Sequence, residues 1–109
     1  MEIQRDTYRD GTLLGEGPII DGKKHGPWRN GYRNGHPKAE GTFVHGEFDG
    51  GWTWWRENGG LLQKGGFVTG KQDGPWRRWH NNGILMDEGT WQGGKRTGDW
   101  VCDNSDGSI

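Results

Sequence analysis

The sequence predicts an all-β chain, an antiparallel meander of tandem 24-residue β-hairpin repeats that forms a single twisted sheet. Three observations predict it. Trp28, Trp52, Trp76 and Trp100 recur every 24 residues without insertion, and Gly26, Gly50, Gly74 and Gly98 keep the same period. So do Gly41, Gly65 and Gly89, which is the signature of a repeat array. The second observation is a hairpin-turn signal in every unit: Asp10-Gly11, Asn34-Gly35, Asn58-Gly59, Asn82-Gly83 and Asp106-Gly107. Asn-Gly and Asp-Gly favour the type I′ turn, in which both central residues take φ > 0. The third is the flanking composition, aromatic and β-branched without helical periodicity. A Gly every few residues would destabilise a helix heavily.

Length allows one domain, 1–109, with units at 4–27, 28–51, 52–75 and 76–99 and a partial unit at 100–109. Strands are expected near 2–9, 12–20, 27–33, 36–44, 51–57, 60–68, 75–81, 84–92 and 99–104. Loops of the form G-x-x-x-G, such as 22–26 and 70–74, join the hairpins. A two-residue turn fixes which residues face each other. Around the turns, Arg5 faces Glu16, Arg29 faces Glu40 and Arg77 faces Glu88, while the third hairpin sets Thr53 against Lys64. Each opposite-charge pair is worth about 0.2–1 kcal/mol. The same register sets Trp28, Trp52 and Trp76 opposite Gly41, Gly65 and Gly89, where an indole can cover bare backbone.

Composition alone, 28% hydrophobic with a mean hydropathy of −1.11, is that of a disordered chain. The period overrides it, and the Trp residues supply apolar area where Leu and Ile are scarce. A net charge of −1 gives no electrostatic reason for nucleic acid or an acidic membrane as partner. No secretion signal is visible at the start, and no apolar run approaches spanning length. Cys102 stands alone, so no internal disulfide can form and a reducing cytoplasm is the expected location. It reads as a small packing residue.

No catalytic residue, metal site or cofactor is expected. The Glu16, Glu40 and Glu88 column is explained by its cross-strand partners. His25, His36, His45 and His80 fall mostly at loops and turn edges and do not converge as metal ligands must. The glycines open no phosphate-binding loop.

The surface remains. Period-2 alternation puts Trp28, Trp52, Trp76 and Trp100 on one face with Phe43, Phe67, Trp91 and Ile19, the shared core stripe. The other face varies between units. Its hairpin-end slot holds Thr7 with Leu14, Gly31 with Lys38, Trp55 with Leu62, and Trp79 with Met86. Two Trp with aliphatic partners therefore meet among charged residues, and Val44 and Val68 lie nearby. An apolar patch rimmed by charge marks an interaction site, and Trp and Arg carry interface energy. The candidate binding residues are Trp55, Trp79, Leu62, Met86, Arg77 and Arg56.

The segments E-G-T-F-V-H-G-E-F-D-G (40–50), K-G-G-F-V-T-G-K-Q-D-G (64–74) and E-G-T-W-Q-G-G-K-R-T-G (88–98) share the form G-x-aromatic-x-x-G-x-x-x-G. That form resembles the MORN repeat. The G-x-W entry and the Asn-Gly hairpin resemble its bacterial branch in YwqK-type antitoxins. The aromatic slot before the hairpin holds Tyr8 and Tyr32, then departs to Arg56 and His80. The resemblance implies an immunity or antitoxin role, a non-enzymatic protein that neutralises a toxin by occluding its surface; a phage-encoded inhibitor of a bacterial defence enzyme would use the same physics. The alternative is a module that stacks carbohydrate or single-stranded nucleic acid on a Trp-lined face, with W-R-R-W-H (76–80) as the base-stacking strand. Edge-to-edge pairing into a dimer stays open.

Overall fold

A computed structural model describes residues 2–102. The expected turn at Asp106-Gly107, the last residues of the 99–104 strand and the side chain of Cys102 lie outside the described residues. The strands are β1 (Glu2–Thr7), β2 (Leu13–Ile20), β3 (Lys23–Lys24), β4 (Gly26–Gly31), β5 (Pro37–Val44) and β6 (Glu47–Trp55), followed by β7 (Leu61–Val68), β8 (Lys71–Gln72), β9 (Gly74–Trp79), β10 (Leu85–Gln92) and β11 (Lys95–Cys102). They form one antiparallel sheet in the order β1-β2-β4-β5-β6-β7-β9-β10-β11, with the short β3 beside β2 and β8 beside β7. Overall extents of 46 × 33 × 12 Å make this a single layer, so the expected architecture is present.

The turn chemistry differs from expectation. The Asn-Gly ends are not two-residue type I′ turns, because Asn34, Asn58 and Asn82 do not take positive φ; only the Gly does. Tyr32 N–H donates to His36 O and Gly35 N–H to Tyr32 O, which closes a three-residue loop with Gly35 left-handed at φ 93°. The same pair of bonds recurs around Tyr8, Arg56 and His80. The Asn side chain instead caps the loop: Asn34 Oδ1 accepts from the His36 amide at 2.9 Å, as Asp10 Oδ1 does from Thr12 at 3.0 Å. That Thr12 amide bond, with Arg33 adding to it, holds the Asp10 carboxyl below its ordinary pKa.

The true type I′ turns lie at the opposite ends. His45 (φ 49°) and Gly46 (φ 85°) are both left-handed between the paired Val44 and Glu47. Asp21-Gly22, Thr69-Gly70 and Gly93-Gly94 repeat the arrangement. The expected G-x-x-x-G loops are thus hairpin tips that run directly into the next strand.

A longer loop should shift the register by one, yet the charge slots pair as expected, because a bulge follows every loop. The registers skip Leu14, Lys38, Leu62 and Met86. The last rungs are therefore corrected: Trp55 pairs with Leu61 rather than Leu62, and Trp79 with Leu85 rather than Met86. Beyond the bulge Arg29 does face Glu40, but its guanidinium turns to Glu16 at 3.1 Å, on which Arg5 also converges at 3.5 Å.

Trp52 and Gly65 are in register as expected. The indole, however, covers the glycine of the preceding hairpin. A Cβ on Gly17 would fall 2.3 Å from Trp28, one on Gly41 2.1 Å from Trp52, and one on Gly65 2.0 Å from Trp76. The reason is the indole N–H, which must find an acceptor once buried. Trp28 donates to Pro18 O, Trp52 to Thr42 O and Trp76 to Gly66 O, each on the preceding strand, at 2.9–3.0 Å. The Trp residues therefore staple each hairpin to the one before it.

One layer still buries Trp28, Trp52 and Trp76 to 3–4% exposure. Rings on the same face close over them. Phe43 meets Trp52 edge-on at 4.9 Å and Phe67 meets Trp76 at 5.2 Å. Trp54 stacks between Trp52 and Trp76, at 5.6 and 5.8 Å. A column two residues past three of the four tips supplies the lid: Lys24 over Trp28 at 4.7 Å, Phe48 against Trp52 at 4.7 Å, and Arg96 over Trp100 at 4.3 Å.

Candidate interaction site

Alternation leaves the opposite face of the sheet with the charge slots and the hairpin-end residues. Two shallow grooves run along it. One, of about 640 Å³, is lined by Ile3, Pro18, Pro27, Glu40 and Thr42 among others. The second, of about 750 Å³, is lined by Thr53, Leu61, Lys64, Pro75, Arg77 and Trp79. Gly51 and Thr53 border both, so the trough is continuous. Leu61 is 40% exposed and Val68 55%.

Trp79 and Arg77 come together in the second groove. Trp55 is half-buried and paired with Leu61 on the groove's border. Leu62 and Met86 are half-buried bulge residues that do not line it. Arg77 is exposed and bonded to Glu88 at 2.9 Å. Arg56 is half-buried, and its Nη2 donates to Trp79 O at 3.0 Å. Tyr8 and Tyr32 hydroxyls make the same bond to Gly31 O and Trp55 O, at 3.0 and 2.7 Å. A guanidinium thus replaces a phenol as the tie between successive hairpin ends, and it holds the backbone of Trp79 in place.

Leu61, Lys64, Thr53 and Pro75 line the groove without standing among the sequence candidates. Thr53 and Lys64 were marked by breaking the charge rule, whereas Leu61 was hidden by the bulge. Arg78 and Asp87, also outside those candidates, pair on the Trp face through two donors of the guanidinium, with Asp87 buried. His25 and His45, read as separate loop residues, meet across neighbouring tips: the rings lie 4.9 Å apart and His25 Nδ1 accepts from the His45 amide. The reason is that the tips of adjacent hairpins sit side by side. Among the described residues no group of three or more His, Cys, Asp or Glu could hold a metal ion.

No curated protein matches the chain. The MORN repeat variant matches residues 24–45 and 72–92, two segments that begin two periods apart in the array. Each spans a Trp-bearing strand, its return and the glycine platform beneath an indole, so over these residues the chain is similar to the MORN repeat variant.

Proposed function

We propose that this chain is a non-enzymatic, cytoplasmic protein-binding module that neutralises its partner by occluding the partner's surface, in the manner of an antitoxin, an immunity protein or a phage inhibitor of a defence enzyme. Repeats of this type are generally binding modules for proteins or membranes. The observation that carries the protein reading is the second groove: a one-layer sheet leaves Trp79, Leu61 and Pro75 beside Lys64 and Arg77 with no element of the described chain over them. Trp and Arg in such a setting are the residues that dominate protein interfaces. Base stacking along 76–80 fits less well, because alternation sends Trp76 and Arg78 to one face and Arg77 and Trp79 to the other. Both Arg side chains are moreover held by carboxylates.

The test is to capture the partner from host lysate, purify it and measure its affinity for four variants alongside thermal melts. Trp55→Ala and Trp79→Ala are expected to weaken binding by about 2 kcal/mol or more and to leave the melt nearly unchanged. Trp52→Ala and Trp76→Ala are expected to destabilise the fold by about 3–5 kcal/mol. If the first two melt as low as the second two, the groove is core. If they stay folded and the partner binds as before, the groove is not the interface.

A further inference from the structure

Resting on the protein-binding reading, we propose that the groove beside Lys64 recognises a carboxylate of the partner, carried on an extended acidic segment that also presents an apolar side chain to Leu61 and Trp79. Arg5, Glu16, Arg29 and Glu40 follow one another across neighbouring strands, each in register with the next. The row continues through Thr53, Lys64, Arg77 and Glu88. Signs alternate from Arg5 to Glu40, as cross-strand pairing favours. At Thr53 the alternation stops. Lys64 therefore has a hydroxyl on one side and a second cation, Arg77, on the other.

Arg77 is answered by Glu88 at 2.9 Å, whereas Lys64 makes no ion pair among the described residues. Asp73, the one carboxylate bordering the groove, accepts the Gly93 amide at 3.2 Å. Lys64 is thus a cation that the row leaves unanswered, and it falls inside the larger groove rather than on open sheet. A carboxylate seated between Thr53 and Lys64 would answer the free ammonium, taking a hydrogen bond from the hydroxyl and an ion pair from Lys64.

Leu61, 40% exposed, and half-buried Trp79 form the apolar wall of the same groove. The site suits a short acidic segment better than a polyanion. Glu40 and Glu88 bound the cationic stretch within about two strand spacings of Lys64, roughly 10 Å, so a nucleic-acid backbone laid along the row would meet like charge on both sides. The whole chain, at net −1, offers no compensating field.

The proposal is tested on the full chain by heteronuclear NMR titration. The probe is a short acetylated and amidated peptide of alternating Glu and Leu, set against its Gln-Leu and Lys-Leu counterparts and an oligothymidylate. The Glu-Leu peptide is expected to shift the Trp79 indole and the Lys64 and Leu61 amides, and the two control peptides are not. Lys64→Gln and Thr53→Glu are expected to weaken that binding about tenfold or more. Thr53→Glu offers Lys64 a carboxylate from within the sheet but also faces Glu40, so Lys64→Gln, which leaves no like-charge pair, is the variant whose melt stays near wild type and separates lost binding from lost folding.

Equal binding of the Glu and Gln peptides, no binding of either, or retention by Thr53→Glu overturns the proposal. So does an oligothymidylate that shifts the same signals and displaces the peptide. A captured partner that depends on Trp79 but tolerates Lys64→Gln and Thr53→Glu would sink this assignment alone. A partner indifferent to Trp79 would sink the protein-binding groove itself.

Discussion

A Cβ built on Gly65 lies 2.0 Å from Trp76 Cδ2, a distance no real packing tolerates, whereas a Cβ on Gly51 meets nothing within 4 Å. Both glycines sit in strands at ordinary φ, so the comparison isolates the contact from backbone strain. Gly65→Val must lift the Trp76 indole from the sheet and break its bond to Gly66 O. The expected loss is about 3 kcal/mol, within the range for emptying a buried Trp site. Gly51→Ala is expected to cost under about 0.5 kcal/mol. The direction of the staple is checked by the indole N–H resonances: Gly65→Val should move that of Trp76 and leave that of Trp52 in place. A shift confined to Trp52 would mean that each indole covers its own hairpin instead.

At the scale of the hairpin, the sequence reading arrived at the right register from the wrong turn. Asn-Gly is the centre of a type I′ turn, but it is equally the last pair of a three-residue loop whose Gly alone is left-handed. The extra residue of the loop is cancelled by the bulges at Leu14, Lys38, Leu62 and Met86, so the Arg-Glu slots pair identically under both schemes. Charge matching cannot tell them apart. The type I′ tips are legible at Asp21-Gly22 and Gly93-Gly94 but hidden in the two middle units, where His45 and Thr69 occupy left-handed positions uncommon for residues other than Gly. Successive hairpin ends are then tied by Tyr8, Tyr32 and Arg56, each donating to a carbonyl 23 residues on. Arg56→Ala is expected to lower stability by about 1 kcal/mol through that bond, and Arg56→Tyr to restore most of it, since the phenol already serves two earlier units. Thermal melts of the pair decide it: no loss in Arg56→Ala would show that the bond contributes nothing, and equal losses in both would show that the phenol cannot replace the guanidinium here.

Across the whole molecule every strand of the meander hydrogen-bonds only to its neighbours, and side-chain ties such as Trp54 on Trp76 reach no further than the next hairpin, so stability is a sum of hairpins and the staples between them. The period made the sheet, the Trp column and the two faces legible. The groove was legible only in part, because Trp79 and Arg77 stand out as residue types while Leu61 enters it through a bulge that no pattern announces. Neighbour-only contact makes a strong demand on deletions. Removing 52–75 joins Gly51 directly to Trp76, one full period out. Trp76 then falls on Gly41, the platform that Trp52 used, and Arg77 falls between Glu40 and Glu88, where Thr53 had faced Glu40. The shortened chain is expected to keep an all-β far-UV spectrum and a cooperative melt at a lower midpoint. It also loses Trp55, Leu61 and Lys64, so it should no longer bind the partner. Removing only 64–75 takes out half a period, fuses β7 to β9 strands that run in opposite directions, and strands Trp76 without a glycine beneath it. That chain is expected to show no cooperative melt. Should the full-period deletion unfold while the half-period deletion survives, the indole-on-glycine staple is not what sets the repeat.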